Sequence, residues 1–384
     1  MSENIILSVI VPTYNRYEYL KGCIETTLSI ESDDFELIIH DNTEDNSSFL
    51  PFVKSIKDER LRYYHKKEHV SVSDNSDLAM SYARGNYICM IGDDDTICES
   101  LIDAAHYCEK ENIDAINYLI AGFNWPDMTF EGTKEEANMF FRYKASGVVR
   151  IMNHSKELHD AITSANGLLD TMPRAYHGLV SKKVMERIYD KTGSYFPGPS
   201  PDMGNAAAVC LVANRTAFIY DYLIVSGYGY KSARGEGNRK AHYGKLKDKP
   251  WLPKDILERW DKDIPPIFSA ETITADSLTE SLRRMGRDDL TAKYNYASLY
   301  AIFLGHHRDA VLQMMGFCLK NPKRIIRLMK GIITRSKMRK EYKKNPPDQT
   351  FYREEMGVKT LQEALEIVRK TRQDLQIDKY VLTE

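Results

Sequence analysis

The chain has 384 residues, of which 42% are hydrophobic and 28% are charged, and its 53 basic and 55 acidic side chains give a net charge of −2. This is the composition of an ordinary globular protein, and the charge excludes a molecule built as a whole to clamp nucleic acid. The six cysteines form no Cys-x-x-Cys pair, so we expect buried thiols in a reducing cytoplasm and not a disulfide framework.

The chain begins with a short apolar run, Ile5 to Val11, which stops at Pro12 and has no basic segment before it. We therefore expect a buried strand here, and neither a signal peptide nor a membrane span. Hydrophobic spacing then predicts helices at 17–30, 73–85 and 99–112 and strands at 35–40, 60–65, 86–92 and 113–120. This alternation predicts an α/β fold with a largely parallel, doubly wound sheet over about the first 120 residues.

Polar or acidic residues follow three of these strands. Pro12 to Arg16 follow the first strand, Asp41 follows the second, and Asp93 to Asp95 follow the fourth. In a sheet of this kind, ligands bind outside the carboxyl ends of the strands. A single aspartate at a strand end is more often a turn or cap residue, but three such loops at one edge indicate a binding site.

The three consecutive aspartates have a specific chemical use. Clustered carboxylates repel one another, and a divalent cation such as Mg²⁺ or Mn²⁺ relieves that repulsion. Residues two apart in an extended segment face the same side, so we expect Asp93 and Asp95 to point into the cleft together and Asp94 to turn elsewhere. A diphosphate-bearing ligand would complete the coordination of the metal.

The segments SVIVPTYNR, ELIIHDN and YICMIGDDD, in this order, resemble the GT-A-fold glycosyltransferases of family 2. The resemblance covers residues 5–120 and extends more weakly to about 245. It implies a Rossmann-like, mostly parallel doubly wound sheet and an inverting transfer from a nucleotide-sugar donor, with a UDP-sugar favoured. It also implies Mn²⁺ or Mg²⁺ as cofactor and a saccharide acceptor.

The resemblance assigns roles to individual residues. The base and ribose would be contacted by Thr13, Tyr14, Arg16 and Asp41, with Asp93 near the ribose. The nucleotide-sugar would also be bound by Pro12 and Asp94. The metal ligand would be Asp95. The family often has a double aspartate followed by Gly-Ser after the second strand, where this chain has DNTEDN. Arg84 is either a base or phosphate contact or a solvated cation at a helix end.

An inverting transfer needs a general base to take the proton of the acceptor hydroxyl. In the family this base lies at the start of a helix well after the aspartates, and the matching residue here is Asp202, which follows a loop rich in Pro and Gly. The alternative for Asp202 is a plain helix cap.

Two further stretches carry candidate residues. His177 precedes an amphipathic helix and is either part of the acceptor pocket or a core histidine. The basic, glycine-rich segment 226–246 offers Lys231, Ser232 and Arg234 to a diphosphate and His242 to a phosphate or metal. The alternative for this segment is a solvated surface loop.

The sequence becomes helical from about residue 252, which predicts a catalytic domain at 1–250 and a helical C-terminal region at 251–384. Within the catalytic domain, 1–120 would bind the nucleotide-sugar and 121–250 would form the acceptor side. Residues 320–340 predict a basic amphipathic helix with an apolar stripe of Ile325, Met329, Ile332 and Ile333, typical of peripheral contact with an anionic membrane. That contact would suit a lipid-linked acceptor at the cytoplasmic face, whereas a bundle helix or a partner-binding helix is the alternative.

Two other functional classes use similar features. A phosphohydrolase of the haloacid-dehalogenase type also has aspartates after a strand, but usually the first strand, and with Thr or Val where this chain has Ile97. A non-catalytic nucleotide- or carbohydrate-binding module would keep the cleft and need no general base. Phosphate release, sugar transfer and binding without turnover distinguish the three.

Overall fold

The computed structural model describes residues 5–130, 138–165, 171–238, 242–344 and 353–383. These residues form an α/β structure around one twelve-stranded sheet. The strands are β1 Leu7–Thr13, β2 Phe35–Asp41, β3 Leu61–His65, β4 Tyr87–Met90, β5 Thr96–Ile97, β6 Ala115–Asn124, β7 Met139–Phe141, β8 Val148–Met152, β9 Leu179–Ser181, β10 Thr216–Tyr228, β11 Arg353–Glu355 and β12 Val381–Thr383.

The strand order along the main path of the sheet is β12-β8-β10-β6-β9-β4-β1-β2-β3. The neighbours β4, β1, β2 and β3 are all parallel, which confirms the parallel arrangement predicted for the first part of the chain. The complete sheet is mixed, because β9 pairs antiparallel with both β4 and β6. Strand β6 therefore runs in the same direction as β4, and the carboxyl ends of β1, β2, β4, β6 and β10 lie at one edge.

Helices cover the sheet and form a separate bundle. They are α1 Tyr17–Leu28, α2 Leu50–Ser55, α3 Val72–Ser81, α4 Glu99–Glu111, α5 His154–Ser164, α6 Lys182–Thr192, α7 Pro201–Val212, α8 Ala233–Asn238, α9 Ile256–Arg259, α10 Ala270–Arg284, α11 Asp288–Thr291, α12 Tyr296–His306, α13 Val311–Leu319, α14 Pro322–Lys344 and α15 Leu361–Asp374, with short 3₁₀ helices at Leu246–Asp248 and Arg308–Ala310. Among the described residues, no helix combines the length and the apolar character that crossing a bilayer requires.

Both faces of the sheet are buried, as the β-branched run of the first strand predicts. Val9 and Val11 of β1 pack into a core with α1, α4 and α15, whereas Ile10 packs into a second core with α3, α6 and α7. Because helices cover both faces of the sheet, a ligand can approach it at the loops that follow the strand ends.

The C-terminal part of the chain is largely helical, as predicted, but the end of the chain returns to the sheet. Helices α9 to α14 share a third core with α5 and α7. In contrast, α15 packs against α1 and β10, and β12 pairs parallel with β8. The helical region predicted for 251–384 therefore holds up to Lys344, and 353–383 belong to the sheet layer. The division at residue 250 stays a prediction.

Helix α10 carries a buried carboxyl group in the bundle core. Asp276 is fully shielded from solvent, and its Oδ1 accepts a hydrogen bond from the Asp261 backbone N–H at 2.8 Å. Its Oδ2 has no hydrogen-bond partner among the described residues. Burial raises the pKa of Asp276 from its ordinary value of 3.8 to about 8, and the nearby charge of Glu280 adds to the shift.

We expect Asp276→Asn to stabilise the protein at neutral pH and not at pH 4. A carboxyl group with a raised pKa in the folded state binds its proton more tightly there than in the unfolded chain, so stability falls as pH rises from about 4 to about 8. The asparagine keeps the oxygen that accepts from the Asp261 N–H, and it carries no charge, so the protein no longer loses stability at this position as pH rises. The melting temperature at pH 7.5 should therefore increase by about 2–5 °C. The measurement is thermal unfolding of both proteins across this pH range, with the exposed Asp288→Asn as the matched control. A melting-temperature difference that is the same at pH 4 and pH 7.5 would contradict the assignment.

Candidate functional site

The candidate site lies at the edge of the sheet where β1, β4 and β10 end. Strand β4 ends at Met90, and the three aspartates sit in the turn that follows, with the Asp95 backbone N–H donating to Gly92 O at 3.2 Å. Asp93, Asp94 and Asp95 are 3%, 5% and 1% exposed. Three carboxyl groups are thus buried side by side, which requires nearby donors or cations.

Arg16, at the start of α1, is the main cation beside the first two aspartates. Its Nη1 lies 3.0 Å from Asp93 Oδ1, and its Nη2 lies 2.7 Å from Asp94 Oδ2. The Thr13 hydroxyl, at the end of β1, donates to Asp93 Oδ2 at 2.6 Å. Burial raises the pKa of Asp94 to about 7, although Arg16 opposes this shift, and burial also raises the pKa of Asp93.

Asp95 faces a different set of donors. Its Oδ2 accepts from the Gly92 backbone N–H at 2.7 Å and lies 2.6 Å from His177 Nε2, and its Oδ1 accepts from the Gly227 backbone N–H at 2.7 Å. Burial opposes ionisation of Asp95, but His177 and the two backbone donors lower its pKa below the ordinary value. A carboxylate held ionised in this way is suited to binding a cation.

These contacts correct the predicted orientation of the triplet. Asp93 and Asp94 both reach Arg16, whereas Asp95 turns to the opposite side, towards His177. The prediction that Asp93 and Asp95 point together assumed an extended backbone. The alternation of side chains ends with β4 at Met90, so it does not extend into the turn.

His177 and Tyr176 close the site from a segment far along the chain. The His177 backbone N–H donates to Met90 O at 2.9 Å, and its left-handed φ of 53° is an uncommon conformation for a non-glycine residue. Its ring stacks on Tyr176, with 4.0 Å between ring centroids. The sequence marked His177 only as an acceptor-pocket or core candidate, since its contact with Asp95 joins residues too far apart for spacing to reveal.

Asp202 lies in the first turn of α7. Its Oδ1 accepts from the Met203 backbone N–H at 2.7 Å and from the Ser200 hydroxyl, and the residue is half-buried. Burial raises the pKa of Tyr176, and the negative charges of Asp95, Asp94 and Asp202 raise it further. Tyr176 therefore lies within electrostatic reach of both the aspartate triplet and Asp202.

The predicted base and ribose contacts divide into an exposed and a buried group. Tyr14 is 39% exposed, and its ring centroid lies 4.8 Å from that of the exposed His69, so the two form an open aromatic surface beside the half-buried Pro12. Asp41 is fully buried, and its carboxylate accepts from the Tyr17 hydroxyl at 2.7 Å and the Thr43 backbone N–H at 2.8 Å. Tyr63 also donates to it. This arrangement does not favour a direct ligand contact for Asp41.

The structure contradicts the predicted ligand contact of Arg84. Its guanidinium lies 2.8 Å from Glu36, the second residue of β2, at the opposite edge of the sheet from the aspartates. The Arg84 backbone N–H also donates to Glu36, at 2.7 Å. Arg84 is thus part of an ion pair at the amino ends of the strands.

In the basic segment 226–246, most side chains predicted to bind a ligand contact other groups of the protein. Lys231 pairs with Glu18 at 2.5 Å, and the Ser232 hydroxyl donates to Gly229 O at 2.8 Å and accepts from the Gly235 N–H. Arg234 lies over the rings of Tyr228 and Phe140, at 4.4 and 4.9 Å from their centroids. The structure therefore corrects the phosphate role of Ser232, whose hydroxyl forms its own turn.

The predicted metal role of His242 is not supported either. Its Nδ1 lies 3.2 Å from Glu236, and its ring packs edge-on against Phe268 of the helical bundle. The histidine beside Asp95 is His177. Residues 239–241 of the same segment lie outside the described part of the chain.

The residues at Asp95 fit a divalent cation that takes most of its ligands from a substrate. One carboxylate and one imidazole meet there, a donor pair that suits Mn²⁺. Over the described residues, no group of three or more His, Cys, Asp or Glu side chains is arranged to hold a metal. A cation at this point therefore needs further oxygen ligands, such as those of a diphosphate.

Residues 8–161 match the sequence model of the family described as Glycosyl transferase family 2. The chain is 25% identical to the glycosyltransferase GlyG of Streptococcus pneumoniae over 69% of this chain and 80% of that protein. It is 30% identical to an uncharacterized glycosyltransferase of Rickettsia bellii over 33% of this chain and 18% of the relative. It is also 27% identical to the minor teichoic acid biosynthesis protein GgaB of Bacillus subtilis, over 42% of this chain and 18% of that protein.

Among solved structures, the chain is similar to TarS of S. aureus in complex with UDP-GlcNAc. The TM-score is 0.47 and the sequence identity is 18%, over 82% of this chain and 76% of the TarS chain.

Proposed function

We propose that the chain belongs to glycosyl transferase family 2, whose sequence model residues 8–161 match, and that it moves a sugar from a UDP-sugar to a saccharide acceptor with inversion at the anomeric carbon. The observation that supports the proposal concerns Tyr176, which is near enough to Asp94, Asp95 and Asp202 for the negative charges of all three to raise its pKa. One part of this site suits a nucleotide diphosphate, and the other offers a carboxylate to an acceptor.

The donor would lie along the ends of β1 and β4. The exposed ring of Tyr14 beside His69 offers a stacking surface for the base, and Thr13 and Asp93 offer hydrogen bonds to the ribose. Arg16 would balance the charge of Asp93 and Asp94 and attract the diphosphate. A divalent cation, Mn²⁺ or Mg²⁺, held by Asp95 and His177 would neutralise charge on the departing diphosphate.

The acceptor would approach from the side of α7. Its hydroxyl oxygen attacks the anomeric carbon, the bond from that carbon to the diphosphate oxygen breaks, and the bonding electrons leave with UDP. Asp202 takes the proton of the hydroxyl as general base. Tyr176 and His177 would form the wall between the donor and the acceptor.

For the biological setting, we propose a saccharide acceptor carried on a lipid and an enzyme located in the cytoplasm at the inner face of the membrane. Similarity to a protein of teichoic acid biosynthesis supports a polymer of the cell surface as the product. Exposed apolar and basic side chains on α13 and α14 support peripheral contact with an anionic membrane.

The test compares donors with and without metal. We expect UDP together with Mn²⁺ to raise the melting temperature by about 5 °C, more than either alone, because each supplies ligands that the other lacks. The panel contains UDP-, GDP-, CMP- and dTDP-sugars, and transfer to short saccharides is assayed alongside release of free phosphate. Phosphate release without transfer would contradict the proposal, and full transfer in excess EDTA would remove the metal from it.

A further inference from the structure

The outward faces of α13 and α14 carry large apolar side chains in contact with solvent. Leu312 and Leu319 are 82% and 67% exposed, and Met329 is 61% exposed. Together with Met315, Ile326 and Ile333 they form what we call the outer face. Soluble monomers rarely expose such a continuous apolar set, and where they do it marks an interaction surface.

The outer face is distinct from the sides of these helices that build the core. Met314 and Cys318 of α13 and Leu328 of α14 are buried in the bundle, and Gly331 of α14 packs against the backbone of Ala297 in α12. On each helix the exposed residues recur three or four positions apart, on the side away from these contacts. The exposed apolar residues are therefore additional to a core that is already complete.

The two helices are neighbours joined by the two-residue turn Lys320–Asn321. The Arg324 guanidinium donates to Phe317 O at 3.2 Å and lies 4.1 Å from the centroid of its ring. This contact ties the start of α14 to the end of α13, so the two helices that carry the exposed apolar residues are held together.

Exposed lysines accompany the outer face in the turn between α13 and α14 and along α14. Lys320, Lys323 and Lys330 are exposed and make no ion pair with any residue that the structure describes, whereas Arg324 and Arg327 pair with Asp263 of the bundle. No Asp or Glu occurs in the sequence between Asp309 and Glu341. The charge of this surface therefore matches an anionic partner.

We propose that the outer face docks the protein on an anionic lipid bilayer, with the apolar side chains at the depth of the acyl-chain boundary and the three lysines among the headgroups. A second copy of this chain fits less well, because a symmetric contact would bring the same lysines together. The inference rests on the proposed function at the membrane and identifies the surface that makes the contact. It also corrects the apolar stripe predicted for 320–340, because Ile325 is partly buried and α13 supplies half of the outer face.

The test uses the full chain with vesicles of phosphatidylserine in phosphatidylcholine, and with phosphatidylcholine alone, in flotation assays at low and high salt. We expect binding only to the anionic vesicles, and weaker binding in high salt, because exposed charges are screened over about 10 Å at 0.1 M salt. K320A/K323A/K330A should weaken binding about 100-fold, at roughly fivefold for each lysine. The matched control K110A/K183A/K191A removes three exposed lysines from α4 and α6 and should bind as the wild type does.

The apolar part is tested with L312S/I326S/I333S, whose three changes lie in solvent and should leave the fold unchanged. We expect this variant to lose vesicle binding at every salt concentration. The docking surface is refuted if the wild type ignores anionic vesicles at low salt, or if the variant dissociates an oligomer and binds vesicles unchanged. Transfer to a soluble short saccharide is measured in parallel. Its absence from a wild type that binds vesicles would contradict the proposed transfer and leave the docking surface standing.

Discussion

Asp95→Asn is expected to reduce sugar transfer by about 10²–10³-fold, since it removes the carboxylate beside His177 that offers a cation its negative ligand. The asparagine keeps an oxygen that can accept from the Gly227 N–H, so the loop stays attached to β10, and its amide nitrogen gives up only the hydrogen bond from the Gly92 N–H. Gly227 lets this attachment form, because a Cβ at that position would come within 1.8 Å of Asp94 O. The loss of activity should therefore reflect lost charge with little change of fold.

The same variant has a readout independent of activity. Titration of Mn²⁺ in the presence of UDP, followed by electron paramagnetic resonance, should show weaker metal binding, whereas UDP binding without metal should change little. His177→Ala should weaken Mn²⁺ binding in the same assay. The surface change Asp45→Asn is the matched control and should alter neither measurement. Wild-type transfer by Asp95→Asn would remove Asp95 from the cation site.

The parallel strands, and with them the edge of the sheet where the candidate site lies, could be predicted from the sequence, because burial and period-two patterns are local properties. Side-chain partners far apart in the chain could not. Asp95 meets His177 across 82 positions, and Asp41 is covered by Tyr17 and Tyr63, which no spacing rule connects. The same limitation explains the corrected residues. Arg84 and His242 have the chemistry of ligand contacts, but Glu36 and Glu236 lie close enough to pair with them.

In the C-terminal region, the sequence predicts that a helix exists but not which of its sides faces solvent. A basic amphipathic helix is evident from composition, and α14 forms where it is predicted. Which of its sides faces solvent depends on α12, against which Gly331 packs, and that contact decides that Ile326 and not Ile325 lies on the exposed side. Tertiary packing thus determines the orientation of a helix whose existence the sequence predicts well.

Asp202→Asn is expected to reduce transfer by about 10²–10⁴-fold while the affinity for the UDP-sugar stays near that of the wild type. The asparagine oxygen can still accept from the Met203 N–H and the Ser200 hydroxyl, so the first turn of α7 keeps its hydrogen bonds and loses only the basic carboxylate. Helix α10 also holds α7 in place. The Ser277 hydroxyl accepts a hydrogen bond from the Ser200 N–H, and the Ser281 hydroxyl donates to Gly204 O. The change should therefore lower the rate of the chemical step without disturbing the donor side.

The measurement separates turnover from donor binding. Steady-state transfer at saturating acceptor gives the loss in kcat, and calorimetric titration of the variant with UDP and Mn²⁺ gives donor affinity. Asp190→Asn on α6, an exposed aspartate outside the site, is the matched control and should retain full transfer. Ser200→Ala should have a smaller effect than Asp202→Asn, since it removes a hydrogen bond to the carboxylate and leaves the base in place. If Asp202→Asn loses donor affinity first and turns over bound donor at the normal rate, Asp202 supports the donor site structurally. The general base must then be another group on the acceptor side of Tyr176.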